Sequence, residues 1–132
     1  MKVGVIGAGA MGSGIAQTCA LAGHEVVLVD VSDAALERGL TNVRTSLERM
    51  ARKETISAAD AAACLDLLHA TTEMTGLADV GVVIEAVYES IDVKRDTWHK
   101  ISAATSEGAL LATNTSSLSV TEIASFSGRP ER

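Results

Sequence analysis

The chain has 132 residues, 47% of them hydrophobic, with a single proline. That supports one domain with a packed core and excludes a disordered chain. One Phe, one Trp and one Tyr leave the core to Ala, Val, Leu and Ile, and a formal charge of −6 argues against general nucleic-acid binding. No apolar run approaches the roughly eighteen residues of a membrane span.

Lys2 passes directly into an apolar run, read as a strand over 2–6, with no leader segment, so a cytoplasmic chain is expected. The turn Gly7-Ala8-Gly9-Ala10-Met11-Gly12 follows, then a helix over 11–22 and a second strand over 25–30 that ends in Asp30. Strand, glycine turn, helix, strand and acid, in that order, form a dinucleotide-binding βαβ unit. Gly7 permits the tight turn, Gly9 lets backbone N–H groups approach a pyrophosphate, and Gly12 lets the helix pack close. The helix N-terminus offers unpaired N–H groups and a positive dipole. The Asp30 carboxylate stands where it can accept hydrogen bonds from ribose hydroxyls.

A long helix is predicted from about Ala34 to Lys53. Its stripe Leu36, Leu40, Val43, Leu47 and Met50 is spaced by four, three, four and three. Ser57 reads as the N-cap of a further helix to about Leu68. The pair forms a helical hairpin inserted between strands 2 and 3. Ser46, Arg49 and Lys53 share one side of the stripe. They read as a solvated basic face or, with Arg52, as a patch suited to phosphates.

A short strand near His69–Thr72, a turn or short helix after Gly76, and a buried strand Gly81–Val87 follow. Then come a helix Asp92–Ala104, a strand Ala109–Thr113 and a last helix Val120–Ser125. Alternation of strands and helices gives an α/β fold, a Rossmann-type doubly wound parallel sheet, in one domain over 1–132. Such sheets bind ligands outside the carboxyl ends of their strands. Two segments lie there. Glu85 and Glu89 emerge with the third long strand, and Lys94 follows; Glu89 and Lys94 can form a surface ion pair or line the crevice. Thr113-Asn114-Thr115-Ser116-Ser117-Leu118 can cap the next helix, or hydrogen-bond a substrate oxygen or a nicotinamide amide. Cys19 and Cys64 have no metal spacing and read as small buried hydrophobes. His24, His69 and His99 are scattered, so no metal site is expected.

Taken together, these stretches resemble the N-terminal, NAD-binding part of the 3-hydroxyacyl-CoA dehydrogenases. The resemblance is carried by Val5–Ala16, Val27-Leu28-Val29-Asp30, Ile84-Glu85-Ala86-Val87-Tyr88-Glu89, Thr113–Leu118 and Arg129-Pro130-Glu131-Arg132, in family order. It implies that Gly7, Ala8, Gly9, Ala10, Met11, Gly12 and Asp30 hold NAD, with Glu89, Lys94 and Asn114 also at the cofactor. It implies that Ser116 lies near the nicotinamide and the substrate 3-oxygen, as a catalytic residue, and that Ser46 and Lys53 contact coenzyme A. The implied reaction interconverts 3-hydroxyacyl-CoA and 3-oxoacyl-CoA, in fatty-acid or butanoate metabolism.

In the family, Arg-Pro-Glu-Arg is followed by a His-Phe-Phe-Asn-Pro block that supplies the catalytic His. That block is not among these 132 residues. Two readings therefore stand: a piece of such a dehydrogenase, inactive by itself, or an independent NAD-binding or sensing module. The reading frame beyond codon 132 separates them. A homo-oligomer is expected, because the strand Ala109–Thr113 is left as a sheet edge unless the tail 126–132 folds back over it.

Overall fold

The computed structural model describes residues 1–132. Five parallel strands make one sheet in the order β3-β2-β1-β4-β5. They are β1 (Lys2–Ile6), β2 (Glu25–Val29), β3 (Leu68–Thr71), β4 (Val82–Glu85) and β5 (Leu110–Thr113). The helices are α1 (Ala10–Leu21), α2 (Asp33–Arg52), α3 (Ala58–Asp66), α4 (Ile91–Ala104) and α5 (Val120–Phe126), with a 3₁₀ turn at Met74–Leu77. The predicted elements are all present, with ends shifted by a residue or two. Two differences matter. The short helical turn includes Gly76 rather than following it. And β4 ends at Glu85, so Ala86 and Val87 leave the sheet.

Strand alternation builds two cores. Val3 and Val5 of β1 and Val26 and Leu28 of β2 face one cluster, with Ala16, Leu36, Val43 and Leu47 from α1 and α2. Ile6, Val27 and Val29 face the other, with Leu77, Trp98, Ile101 and Ile123. Both faces of the central strands are thus covered, which is why they read as unbroken apolar runs. Cys64 belongs to the first cluster and Cys19 packs against it. Burial pushes both thiols up from their ordinary value.

Serine starts four of the five helices. Ser32, Ser57, Ser90 and Ser119 each accept an N–H from the first turn of the helix that follows. Ser57 and Asp60 complete a capping box, as the Ser57 reading expects. Helix α1 is the exception. Its N-cap is Gly9, and no side chain caps it.

The tail returns to the sheet. Arg129 donates to the Ser106 carbonyl at 2.5 Å and the Thr105 hydroxyl at 2.7 Å, closing the C-terminal end of α4. The N–H of Leu111 then donates to the Arg132 carbonyl at 2.9 Å. The β5 edge is therefore met at one point by residues of this chain. No helix is long and apolar enough to cross a membrane.

Candidate functional site

The carboxyl ends of β1, β2 and β4 are hooked together by backbone bonds. Gly7 N–H donates to Val29 O, and Ala86 N–H to Ile6 O, each at 2.8 Å. Gly7 has φ +104°, the left-handed region, and a Cβ there would meet the Ala86 carbonyl oxygen at 2.5 Å. At Gly12 a Cβ would fall 1.7 Å from the Gly7 oxygen. Both positions exclude side chains for reasons internal to the fold. Gly9 differs: a Cβ there would meet nothing within 4 Å, because the position faces open space over the uncapped start of α1.

That open space is a cleft in two parts. The larger, about 660 Å³, lies beside Asp30, Val31, Met74, Val87 and Lys100. The smaller, about 530 Å³, lies beside Ala10, Met11, Glu89, Lys94, Asn114 and Ser116. Gly9, Ala86, Val87 and Tyr88 border both. The glycine turn thus stands at the divide, where a pyrophosphate joining two nucleoside halves would rest.

Asp30 is fixed from two sides. Its Oδ2 accepts the Ala8 N–H at 2.9 Å and its Oδ1 accepts the Ser32 N–H at 3.1 Å. The sequence expectation put Ala8 among the cofactor-holding residues. Ala8 is instead buried, and its N–H is committed to Asp30. It also borders a cavity beside Gly9 and Ala10, on the side of the turn toward the start of α2.

Lys94 is the largest departure from the sequence reading. The spacing left open a surface ion pair with Glu89 or a place lining the crevice, and it gave no sign of burial. Lys94 is 0% exposed, and its ammonium lies 2.6 Å from Glu85 and 3.0 Å from Glu89. Glu89 is the exposed end of this chain of charges. It also accepts the hydroxyls of Thr115 and Ser117 at 2.8 Å each. The Thr115 hydroxyl, the Lys94 ammonium and the Ser117 hydroxyl hold its carboxyl well below the ordinary value, at about 2.

The hydroxyl-rich loop does not cap α5; Ser119 does that. Thr113, Thr115 and Ser117 spend their hydroxyls on Glu85 and Glu89. Asn114 and Ser116 are exposed on the wall of the smaller cavity. Sequence reasoning missed Glu85 as a partner. The available signal was an acid inside the run Val82-Val83-Ile84-Glu85-Ala86-Val87, since a buried acid needs donors.

On the arm, Ser46 is half-buried and its oxygen accepts from Gln17 Nε2 of α1 at 2.9 Å. Arg49, Arg52 and Lys53 are exposed at the C-terminal end of α2. The arm residues therefore stand apart from the cleft residues, and Ser46 helps join α2 to α1.

The family model for the 3-hydroxyacyl-CoA dehydrogenase NAD-binding domain matches residues 2–132. The chain belongs to the 3-hydroxyacyl-CoA dehydrogenase family. A 3-hydroxybutyryl-CoA dehydrogenase of Bradyrhizobium diazoefficiens is 41% identical over 99% of this chain and 45% of its own length. One from Clostridioides difficile is 39% identical over 100% of this chain and 47% of its own. The crystal structure of (S)-3-hydroxybutyryl-CoA dehydrogenase from Ralstonia eutropha superposes with a TM-score of 0.95 at 41% identity, covering 98% of this chain and 46% of that one. The chain thus spans about half the length of these 3-hydroxyacyl-CoA dehydrogenases, the half that binds NAD. Its cofactor is NAD, and the cleft fits it: a turn with no Cβ toward the ligand, a helix start without a side-chain cap, and an oriented carboxylate in the larger cavity.

Proposed function

We propose that the protein containing this domain interconverts 3-hydroxyacyl-CoA and 3-oxoacyl-CoA, in fatty-acid or butanoate metabolism. The observation that carries the reading is the pairing of two cavities across Gly9, with Asp30 in one and Asn114 and Ser116 in the other. Bound NAD supplies a hydride acceptor or donor. Asp30 accepts the adenosine ribose hydroxyls. The N–H groups at Gly9, Ala10 and Met11 bind the pyrophosphate. Gly7 and Gly12 shape the turn, and Ala8 holds Asp30. Glu89, with Lys94 behind it, lines the nicotinamide half beside Asn114.

Ser116 binds the substrate 3-oxygen through its hydroxyl. A serine with no base beside it positions that oxygen but does not take its proton. General-base catalysis contributes about 10²–10⁴-fold, so residues 1–132 by themselves bind NAD and turn over negligibly. Ser46 and Lys53, with Arg49 and Arg52, attract the phosphates of coenzyme A. Two unlinked thiols, Cys19 and Cys64, suit a reducing compartment such as the cytoplasm. For residues 1–132 by themselves, the partly open β5 edge supports self-association into a homo-oligomer.

The test is NADH formation from 3-hydroxybutyryl-CoA by the whole protein, with Ser116→Ala lowering kcat. Turnover unchanged by Ser116→Ala removes Ser116 from the reaction. An independent NAD-binding module would bind NADH and show no turnover with any acyl-CoA.

A further inference from the structure

Glu85 has no role in the reading above, yet it is the most heavily bonded side chain near the cleft. It is closed to solvent, at 0% exposure. Its Oε2 accepts from Lys94 Nζ at 2.6 Å and from the Val87 N–H at 2.9 Å. Its Oε1 accepts the Trp98 indole N–H at 3.2 Å and the Thr113 hydroxyl at 2.8 Å. These donors come from three places: the end of β4, helix α4 and the end of β5. Stability alone does not call for such an acid. Apolar side chains of similar volume commonly replace buried ion pairs with no loss. What an acid adds is direction, because each donor fixes one neighbouring segment.

Two routes run from Glu85 to the two sides of Ser116. In the first, Thr113 Oγ1 donates to Glu85 and accepts the Thr115 N–H at 3.3 Å. In the second, Lys94 reaches Glu89 at 3.0 Å, and Glu89 accepts the hydroxyls of Thr115 and Ser117. The Asn114 N–H also bonds to the backbone oxygen of Glu85 at 2.8 Å. Residues 113, 114, 115 and 117 are all tied in, and Ser116 is held between tied neighbours.

We propose that Glu85 is a positioning residue for the nicotinamide half of the cleft, setting Lys94, Glu89 and the 113–118 loop in place before cofactor binds. The inference rests on the cofactor reading above. Holding the loop in advance removes an ordering cost from binding on that side of Gly9 only. The adenosine half, around Asp30, has its own supports in Ala8 and Ser32 and does not depend on Glu85.

The experiment compares two ligands by calorimetric titration into the full chain. NADH spans both halves, whereas ADP-ribose has the adenosine and pyrophosphate without the nicotinamide. The variants are Glu85→Gln, which removes the charge facing Lys94, and Thr113→Val, which keeps the buried ion pair and breaks the first route. Each is expected to weaken NADH by about tenfold and ADP-ribose by no more than about twofold. Emission from Trp98 should shift in Glu85→Gln, because its indole partner loses charge. Equal losses for both ligands would make Glu85 a structural residue only and overturn the proposal. Unchanged NADH binding in both variants would overturn it too. If Glu85→Gln fails to fold, Thr113→Val decides. A native chain that binds neither ligand overturns the cofactor reading itself, an outcome distinct from either of these.

Discussion

The Asp30 carboxylate accepts the backbone N–H of Ala8 at 2.9 Å, tying the end of β2 to the turn after β1. One bond thus sets the acid against the glycine turn. The other oxygen is oriented by Ser32.

Asp30 predicts a preference for NAD(H) over NADP(H). Its charge would oppose a 2′-phosphate, and like-charge placement costs several kcal/mol. The residues after it, Val31, Ser32 and Asp33, supply no cation. Lys100 does line the same cavity, from α4. Removing the acid should therefore leave a lysine able to favour the phosphate. Asp30→Asn is expected to weaken NADH by about tenfold and to shrink the NADH/NADPH affinity ratio. Titration of both cofactors checks this; equal affinities in the native chain would rule out Asp30 as the discriminating acid.

Gly12→Ala is expected to be severe. Its Cβ would stand 1.7 Å from the Gly7 carbonyl oxygen, and backbone cannot rotate aside as a side chain can. The helix start must shift, at a cost of about 3 kcal/mol or more. Urea unfolding measures the stability, and NADH titration should show binding lost with it. Gly9→Ala makes the contrast. Its Cβ meets no protein atom within 4 Å, so folding should hold while NADH binding falls.

These two glycines show where the sequence was legible. The βαβ order, the acid after β2 and the N-cap at Ser57 are local signals, and each appears where the residues indicate. The end of β4 is not local. Ala86 and Val87 continue an apolar run, yet they leave the sheet to pass over Gly7. Lys94 was the hardest position. A lysine near a helix start is ordinarily exposed. Its burial depends on Glu85 at the end of β4, which Thr113 of β5 also holds, and these strands and α4 meet only in the folded domain. The hydroxyls after β5 read as a helix cap or as ligand contacts; three of them instead bond acids of the protein, and α5 takes its cap from Ser119.

Glu89 makes stability depend on acid. Its folded pKa is lowered to about 2 by the Thr115 hydroxyl, then by Lys94 and Ser117. In the unfolded chain the carboxyl titrates at its ordinary, higher value. Between the two, the unfolded state binds more protons, so stability rises with pH in that window. The contribution is complete above about pH 4.5 and is lost as pH falls toward about 2. The side chain is 40% exposed, so salt should weaken the effect. Thermal melting of native protein and Glu89→Gln should differ at pH 7 and converge near pH 2. A constant difference across that range would show that the Glu89 charge does not carry the effect.

Self-association is the last expectation, and the structure relocates its cause. The sequence reading pointed to the strand Ala109–Thr113, which carries Leu110 and Leu111, as an open sheet edge. Leu111 packs against the core beside Trp98 and Ile123, and its N–H is taken by the Arg132 carbonyl. Leu110 points the other way and is 52% exposed, on the same face as the exposed Ala112. Helices α1, α2 and α3 cover the corresponding face of β1 and β2, and β5 lies at the far end of the sheet. An apolar strand with one face open and its edge met at one point by the tail invites a second copy. Light scattering across a dilution series of residues 1–132 should show a mass that rises with concentration. Leu110→Lys should lower that rise with little effect on the melting temperature. Leu111→Lys should instead cost about 2–5 kcal/mol of stability, since it places a charge against the core. A strict monomer at high concentration in the native chain would show that the contact with Arg132 is enough to close the edge.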